Sequence, residues 1–503
     1  MPRIPLASAP YSGQSLIASG QERVNLYAEV NANTDPQAPS PITEYLTPGT
    51  SLFCKTNINT KVRGEYRTSI GTAYVVVGSQ VFYITYNPIT SVATPIKIGS
   101  IADTPTQVYF KDNGLVVVLV DGVRGYVIDM ASNVIAQITD PNFYGADFVD
   151  LLDTFFIFNR PGTNQFYISV SNASYAQLST TGAFDPLDIA AKSGFNDPIV
   201  SISVVHRELW LVGTLTSEVW IGTGAADFFF QQVQGAYINH GSAAKYSIAC
   251  QDVLLFFIQQ DMQGNGLVLQ GQGYDVVEIS TPRIVKEFKS YLTISDAIGF
   301  CFQISDHAFY AMVFPTANKG WLYDLTTKQW SEWNYADIDG NLLRPRANCC
   351  MFAFGKIIVG DWQNGNLLVL DPDVSTDYTN DNTQTNIIRI RTFPHQLALT
   401  RRGQISSYER VHYPSFDADI SVGIIQDYAI DPQISLSWSD DKGMSYGNPI
   451  MQSMGLKGAY LTTVSWNRLG MGRDRVFKLQ WSENIPGLAL NGAFIDPPIA
   501  SSS

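Results

Sequence analysis

Apolar residues in this chain come in short paired runs, and the pairs recur. The runs 74–77 and 81–84 flank one turn, as do 115–120 with 123–128 and 155–158 with 166–169. The pattern returns in 209–212 with 218–221, 253–258 with 267–270, 309–314 with 320–323, and 357–359 with 367–370. Short apolar runs bounded by turn residues read as buried strands. Seven such hairpins, spaced roughly 40–55 residues apart, predict the blades of a β-propeller. Seven blades is the direct reading, and six stays open if one hairpin is an insertion. The turns agree: Gly78-Ser79 and Asp121-Gly122 suit tight hairpins that need positive φ, and Gly360 with 363–366 suits a looser one.

The flanking segments lack this period. Residues 1–60 are rich in Pro, Ser, Ala and Asn, and are expected to form an extended arm, with 31–41 as a loop. The propeller is assigned to 61–375. Within it, 184–191 is the one helical candidate, with Asp185 as cap, Pro186 at the first helical position and Gly194 closing it. The polar stretch 374–383 reads as a linker. Beyond it, 387–393, 407–413, 434–438, 462–468 and 476–481 alternate without the blade spacing, which predicts a C-terminal β-sandwich over 376–503. The fold class is therefore all-β.

Charge narrows the function. Charged residues are only 15% of the 503, against about 25% in an average protein, and aromatics reach 12%. Such a composition suits sheets and large contact surfaces, part of them covered by partner subunits. The net charge of −13 lacks the lysine and arginine excess that gripping DNA requires. Arg389, Arg391, Arg401 and Arg402 are the local exceptions, expected as edge or interface charges. No segment approaches the ~20 apolar residues of a membrane span. The opening MPRIPLASAPYSGQS has no apolar stretch long enough for a signal peptide, and the five cysteines are odd in number with no metal-ligand spacing. A chain folded in a reducing cytoplasm is expected, where the sequon at Asn172 has no consequence.

Catalytic constellations are hard to find. His206, His240, His307, His395 and His412 stand singly. Asp147 with Asp150 and Asp440 with Asp441 are the carboxylate pairs a propeller glycosidase would need, with nothing to tune them. Residues 439–446 (Ser-Asp-Asp-Lys-Gly-Met-Ser-Tyr) resemble the Asp-box hairpin of sialidases, a structural turn in which Asp bonds backbone donors. Gly222-Thr223-Gly224 lacks the Lys-Ser/Thr of a phosphate loop, and no Gly-x-Ser-x-Gly elbow occurs. Trp321, Trp330, Trp333, Trp438, Trp466 and Trp481 read as sheet packing, with a subunit interface as the sharper alternative. No catalytic, cofactor-binding or metal residue is assigned, and no enzyme is expected.

Several stretches carry a family resemblance. Asn25-Leu26-Tyr27-Ala28-Glu29 is followed by Tyr45-Leu46-Thr47-Pro48-Gly49, and Phe184-Asp185-Pro186-Leu187-Asp188 by Arg207-Glu208-Leu209-Trp210-Leu211. Then come Glu218-Val219-Trp220, Gly224-Ala225-Ala226-Asp227-Phe228, Trp466-Asn467-Arg468-Leu469-Gly470 and the run from Arg473 to Leu479. In this order they resemble the packaged-DNA stabilisation, or tail nozzle, proteins of short-tailed bacteriophages. The resemblance implies a structural protein of the virion tail, assembled in the host cytoplasm as a homo-hexameric ring that closes the tail channel. It implies a head-to-tail adaptor ring above, fibres, spikes or a needle around or below, and passage of double-stranded DNA without sequence-specific binding. Six copies at −13 each would disfavour sticking of a phosphate backbone, so an acidic or neutral lumen is expected. The alternatives are a propeller glycan hydrolase and a receptor- or fibre-binding module of the virion.

Overall fold

The computed structural model describes residues 4–6, 21–30, 41–225, 228–379, 383–399, 405–406, 410–421, 431–497 and 499–500. Seven blades of four antiparallel strands follow one another in chain order, six of them separate sheets and the sixth continuous with a larger sheet. The first runs from Val62–Arg67 to Val92–Ser100, the second from Tyr109–Asp112 to Ile135–Gln137, and the third from Val149–Leu152 to Ile189–Ala191. The fourth runs from Ile199–Val205 to Phe230–Ile238, the fifth from Ala249–Gln251 to Asp275–Glu278, and the sixth from Ile298–Ile304 to Gln329–Glu332. The seventh takes Ala347–Ala353, Lys356–Asp361 and Asn366–Asp371, and borrows its outermost strand, Gly49–Lys55, from near the N-terminus. Inner strands of successive blades touch, and the seventh meets the first, so the ring closes.

Blade packing explains the apolar runs. The second strands Ala73–Val77 and Val116–Val120 are buried at every position, because a blade presses a neighbour on both faces. Seven apolar clusters sit between adjacent blades. Gly78 (φ 55°) and Gly122 (φ 94°) make the tight turns that their positions demand.

The helical expectation over 184–191 is corrected. Asp185 does cap, but it caps a turn: its Oδ1 accepts from Leu187 N at 2.9 Å, and its carbonyl accepts from Asp188 N at 3.0 Å. Ile189–Ala191 then pairs with 165–167 as the outer strand of the third blade, and sheet completion wins over local helix signals. Among the described residues the α-helices are Tyr175–Ser179, with a Ser174/Gln177 capping box, and Pro282–Lys289, capped by Thr281.

The C-terminal body is a two-sheet sandwich around Phe393, Tyr413, Phe416, Trp466, Phe477 and Trp481. One sheet has the order Leu26–Val30, Ile42–Leu46, Ala489–Ile495, Ser415–Ile420, Val464–Asn467. The other contains Arg389–Thr392, Asp474–Trp481, Gln433–Ser439 and Ile450–Ser453. The segment 1–60, expected as an extended arm, therefore contributes strands to both bodies in its described parts. Residues 31–40 lie outside the described residues. Within the stretch read as a linker, Thr376–Tyr378 is a strand, and it pairs with Gln384–Asn386 just beyond that stretch.

Candidate functional site

The axis of the propeller is plugged by side chains. Tyr109 starts the inner strand of the second blade, and Tyr246 lies in the connector entering the fifth, on the opposite side of the ring. Their rings stack at 6.1 Å, and Phe148 of the third-blade connector packs on Tyr109 at 4.3 Å. Around them Lys111 pairs with Asp150 and Lys245 with Asp147, each at 2.6 Å. The two acids considered as a catalytic pair thus each hold a lysine. Cys250, Cys301, Cys349 and Cys350 lie on inner strands of the fifth to seventh blades. Burial pushes the Cys250 thiol up to about 11 and the other three well above their usual value, so none is an activated nucleophile. Glu65 on the first inner strand is raised well above the carboxylate range by burial. Among the described residues no three His, Cys, Asp or Glu side chains are grouped to hold a metal.

The second feature is the joint between the two bodies. Arg23–Val24 inserts between the outer strand of the sixth blade and the sandwich, parallel to Gln329–Glu332 and antiparallel to Arg389–Thr392. One sheet thereby runs from propeller to sandwich. Next to it, Asn25 adopts φ 55°, a left-handed backbone that Asn tolerates better than most residues. Its Nδ2 donates to the Ile388 carbonyl at 2.8 Å, and its Oδ1 accepts from Asn334 N at 2.8 Å, so one side chain bonds both bodies.

Beneath this strand Glu44 is 1% exposed. Its Oε1 accepts from Arg23 Nη2 at 3.1 Å and from Arg391 Nε at 2.6 Å. Burial alone would raise this carboxyl, but the two guanidiniums outweigh it and hold it below its usual value. Arg389 and Arg391, expected as edge or interface charges, are both 0% exposed and serve this internal joint. Arg401 and Arg402 lie outside the described residues. A further buried group, Asp377, accepts from Thr50 Oγ1 at 3.0 Å, tying the hairpin after the seventh blade to the strand that closes it.

The other sequence candidates are structural. Asp441 accepts from the backbone of Met444 and Ser445 at 3.1 and 2.9 Å, and hydrogen bonds from the Ser439 and Ser445 side chains lead in holding it down to about 2. Asp440 makes a two-pronged pair with Arg475, at 2.8 and 2.9 Å. His307 bonds Asp324 and His395 bonds Asp474, both at 2.8 Å, while His240 meets Gln259. His206 sits in a left-handed turn and His412 in a short strand. Thr223 closes a fourth-blade turn by donating its N–H to the Phe229 carbonyl. Trp321, Trp330, Trp333, Trp466 and Trp481 are buried, and Trp438 packs against the sandwich core. Sequence reasoning missed Arg23, Glu44 and Asp377: Arg23 and Glu44 are 21 residues apart, but Arg391, the second partner of Glu44, and Thr50, the partner of Asp377, lie hundreds of residues away from them. Asn25 was visible only as part of a family motif.

A family model described as bacteriophage P22 Gp10, beta-propeller, matches residues 24–375, and one described as bacteriophage P22 Gp10, beta-sandwich, matches residues 406–495. A search of curated proteins finds no match. Similar solved structures include virginiamycin B lyase from Staphylococcus aureus, with 10% identity over 64% of this chain and 98% of that one, at a TM-score of 0.43. The extracellular domain of a putative one-component system from B. thetaiotaomicron is 10% identical over 94% of this chain and 62% of that one, at 0.42. The RRP9 WD40 repeats are 8% identical over 65% and 98%, at 0.39. Overlaps this weak carry no argument about activity. The family matches do: with the first covering more than half of it, the chain belongs to the bacteriophage P22 Gp10 family, packaged-DNA stabilisation proteins built from a β-propeller and a β-sandwich.

Proposed function

We propose that this chain is the wall unit of a tail nozzle. Six copies close into a ring at the end of the tail channel, retain packaged DNA and let it pass during ejection, docked on a head-to-tail adaptor ring. The observation that carries this reading is the plugged axis. A DNA duplex has a major groove alone about 12 Å wide, whereas the Tyr109 and Tyr246 rings from opposite blades touch. A passage therefore has to lie between copies, with each propeller a solid block in the wall. The acidic balance supports a lumen that does not hold the phosphate backbone. The work is mechanical, without a catalytic residue, metal or cofactor, and fibres, spikes or a needle-like plug attach around or below the ring.

Mass measurement of the purified chain with its adaptor tests this. A closed ring of six on the adaptor is expected. A chain that stays monomeric and never joins the adaptor overturns the reading.

A further inference from the structure

Where the inner strands of the fourth and fifth blades end, a groove of about 290 Å³ opens between them. It lies on the face away from Tyr109 and Tyr246, which sit where inner strands begin. Its floor is apolar, formed by Trp210 and Leu255, and its rim carries His206, Glu208, Val253 and Gln272. Gly271 keeps the floor open, because a Cβ there would stand 3.2 Å from the Trp210 ring. Pockets for whole small molecules run to about 300–1,000 Å³, so this one has the size of a single long side chain.

Uncompensated charge around the groove has one sign. Glu208 is half-buried, and its Oε1 accepts from the Tyr274 hydroxyl at 2.7 Å. Its Oε2 makes no hydrogen bond or ion pair among the described residues. Asp252 precedes Val253 and Asp275 follows Tyr274; both are exposed, and neither has an ion pair among the described residues. Arg207, the cation beside His206 in the chain, is committed to Asp153 at 2.5 Å. A ligand that lays methylene groups on the apolar floor and leaves a positive charge at the rim satisfies both features. With one carboxylate oxygen open, a point-like ammonium fits better than a two-pronged guanidinium.

Apolar surface continues past the groove: Val253, Tyr274 and Val277 are 42%, 47% and 61% exposed. A free amine leaves that surface in water, whereas a protein segment covers it. The −13 of the whole chain disfavours a second copy as the source of the cation. We propose that this groove docks a lysine side chain, flanked by apolar residues, from a different and locally basic protein. The inference stands apart from the wall-unit reading, since it needs no ring.

The test uses the full chain at about pH 8, where histidine is ordinarily neutral. The probe is N-acetyl-leucyl-lysyl-leucine amide, and saturation-transfer NMR on the peptide reads its binding. A Kd of about 1 mM is expected for wild type. Acetylating the lysine keeps the stem, removes the charge and is expected to weaken binding about fivefold, as is Glu208→Gln, which still accepts from Tyr274. Gln272→Lys, at an exposed rim position, supplies an ammonium within the chain and is expected to block the peptide with Tm unchanged. No binding by wild type at about 10 mM peptide overturns the proposal. Equal binding of the acetylated peptide overturns it, as does equal binding by wild type and Gln272→Lys. The free diamine putrescine binding as tightly as the peptide also overturns it, by assigning the groove to small amines. So does self-association that Gln272→Lys abolishes, which would make the groove a contact between copies. Ring formation on the adaptor is read separately by mass, so the two readings fail independently.

Discussion

At the scale of single residues, Asn25 concentrates more structure than its size suggests. It is fully buried, its backbone is left-handed, and its amide joins Ile388 of the sandwich to Asn334 beyond the sixth blade. Replacing it with alanine leaves a buried carbonyl and a buried N–H without partners and forces a Cβ residue into the left-handed region. Each unpaired group costs roughly 1–3 kcal/mol, and the backbone about 1 more. Asn25→Ala is expected to lower stability by about 3 kcal/mol or more in a denaturant titration. Asn25→Gly relieves only the backbone part and is expected to recover about 1 kcal/mol. An alanine variant as stable as wild type would show that the two bodies do not depend on this amide.

Among the elements, the closing strand and its neighbours decide how firmly the ring is shut. Gly49–Lys55 pairs with Asn366–Asp371, and Thr50 links it to Asp377. Burial pushes the Asp377 carboxyl up to about 6, with the Thr50 hydroxyl, then Arg389 and Arg346, opposing the rise. The folded chain therefore holds this proton more tightly than the unfolded chain. Its contribution is full below about pH 4 and is lost as pH rises through about 6, on the order of 3 kcal/mol in all. Wild type is expected to lose stability over that window relative to Asp377→Asn, whose profile stays flatter; coincident profiles would remove Asp377 from the account. Elements like this one were poorly legible in the sequence, and the reason is physical. Middle blade strands are buried on both faces, so they print as continuous apolar runs that need no partner to be recognised. Arg23–Val24 is two residues long and has no period to show. Tyr45 pairs with Ala489, so nothing local marks Ile42–Leu46 as sandwich. Arg389 and Arg391 looked like edge charges because the carboxylate that buries Arg391, Glu44, is far away in the chain. The helix Pro282–Lys289 was missed although Thr281 as cap and Pro282 at the first position mark it locally.

For the whole molecule, the decisive fact is that propeller and sandwich share a sheet and a charge cluster. Both bodies also use early strands: Arg23–Val24 builds the joint, Leu26–Val30 and Ile42–Leu46 belong to one sandwich sheet, and Gly49–Lys55 closes the seventh blade. Under the proposed wall-unit role this property has a use, because load on one body then reaches the other through a sheet. Deleting 384–503 accordingly does more than remove an attachment module. It strips the cover from Leu26, Ala28 and Leu46 and takes Arg391 from Glu44. Breaking a buried ion pair alone costs about 3–5 kcal/mol, and the exposed apolar faces add to it. The truncated chain is expected to melt about 10 °C or more below the intact one, or to aggregate, while the intact chain unfolds in a single transition. Thermal unfolding followed by near-ultraviolet circular dichroism reads both. A truncated propeller with an unchanged Tm would mean that the shared sheet transmits nothing, and that the sandwich is a separable appendage with its own partner.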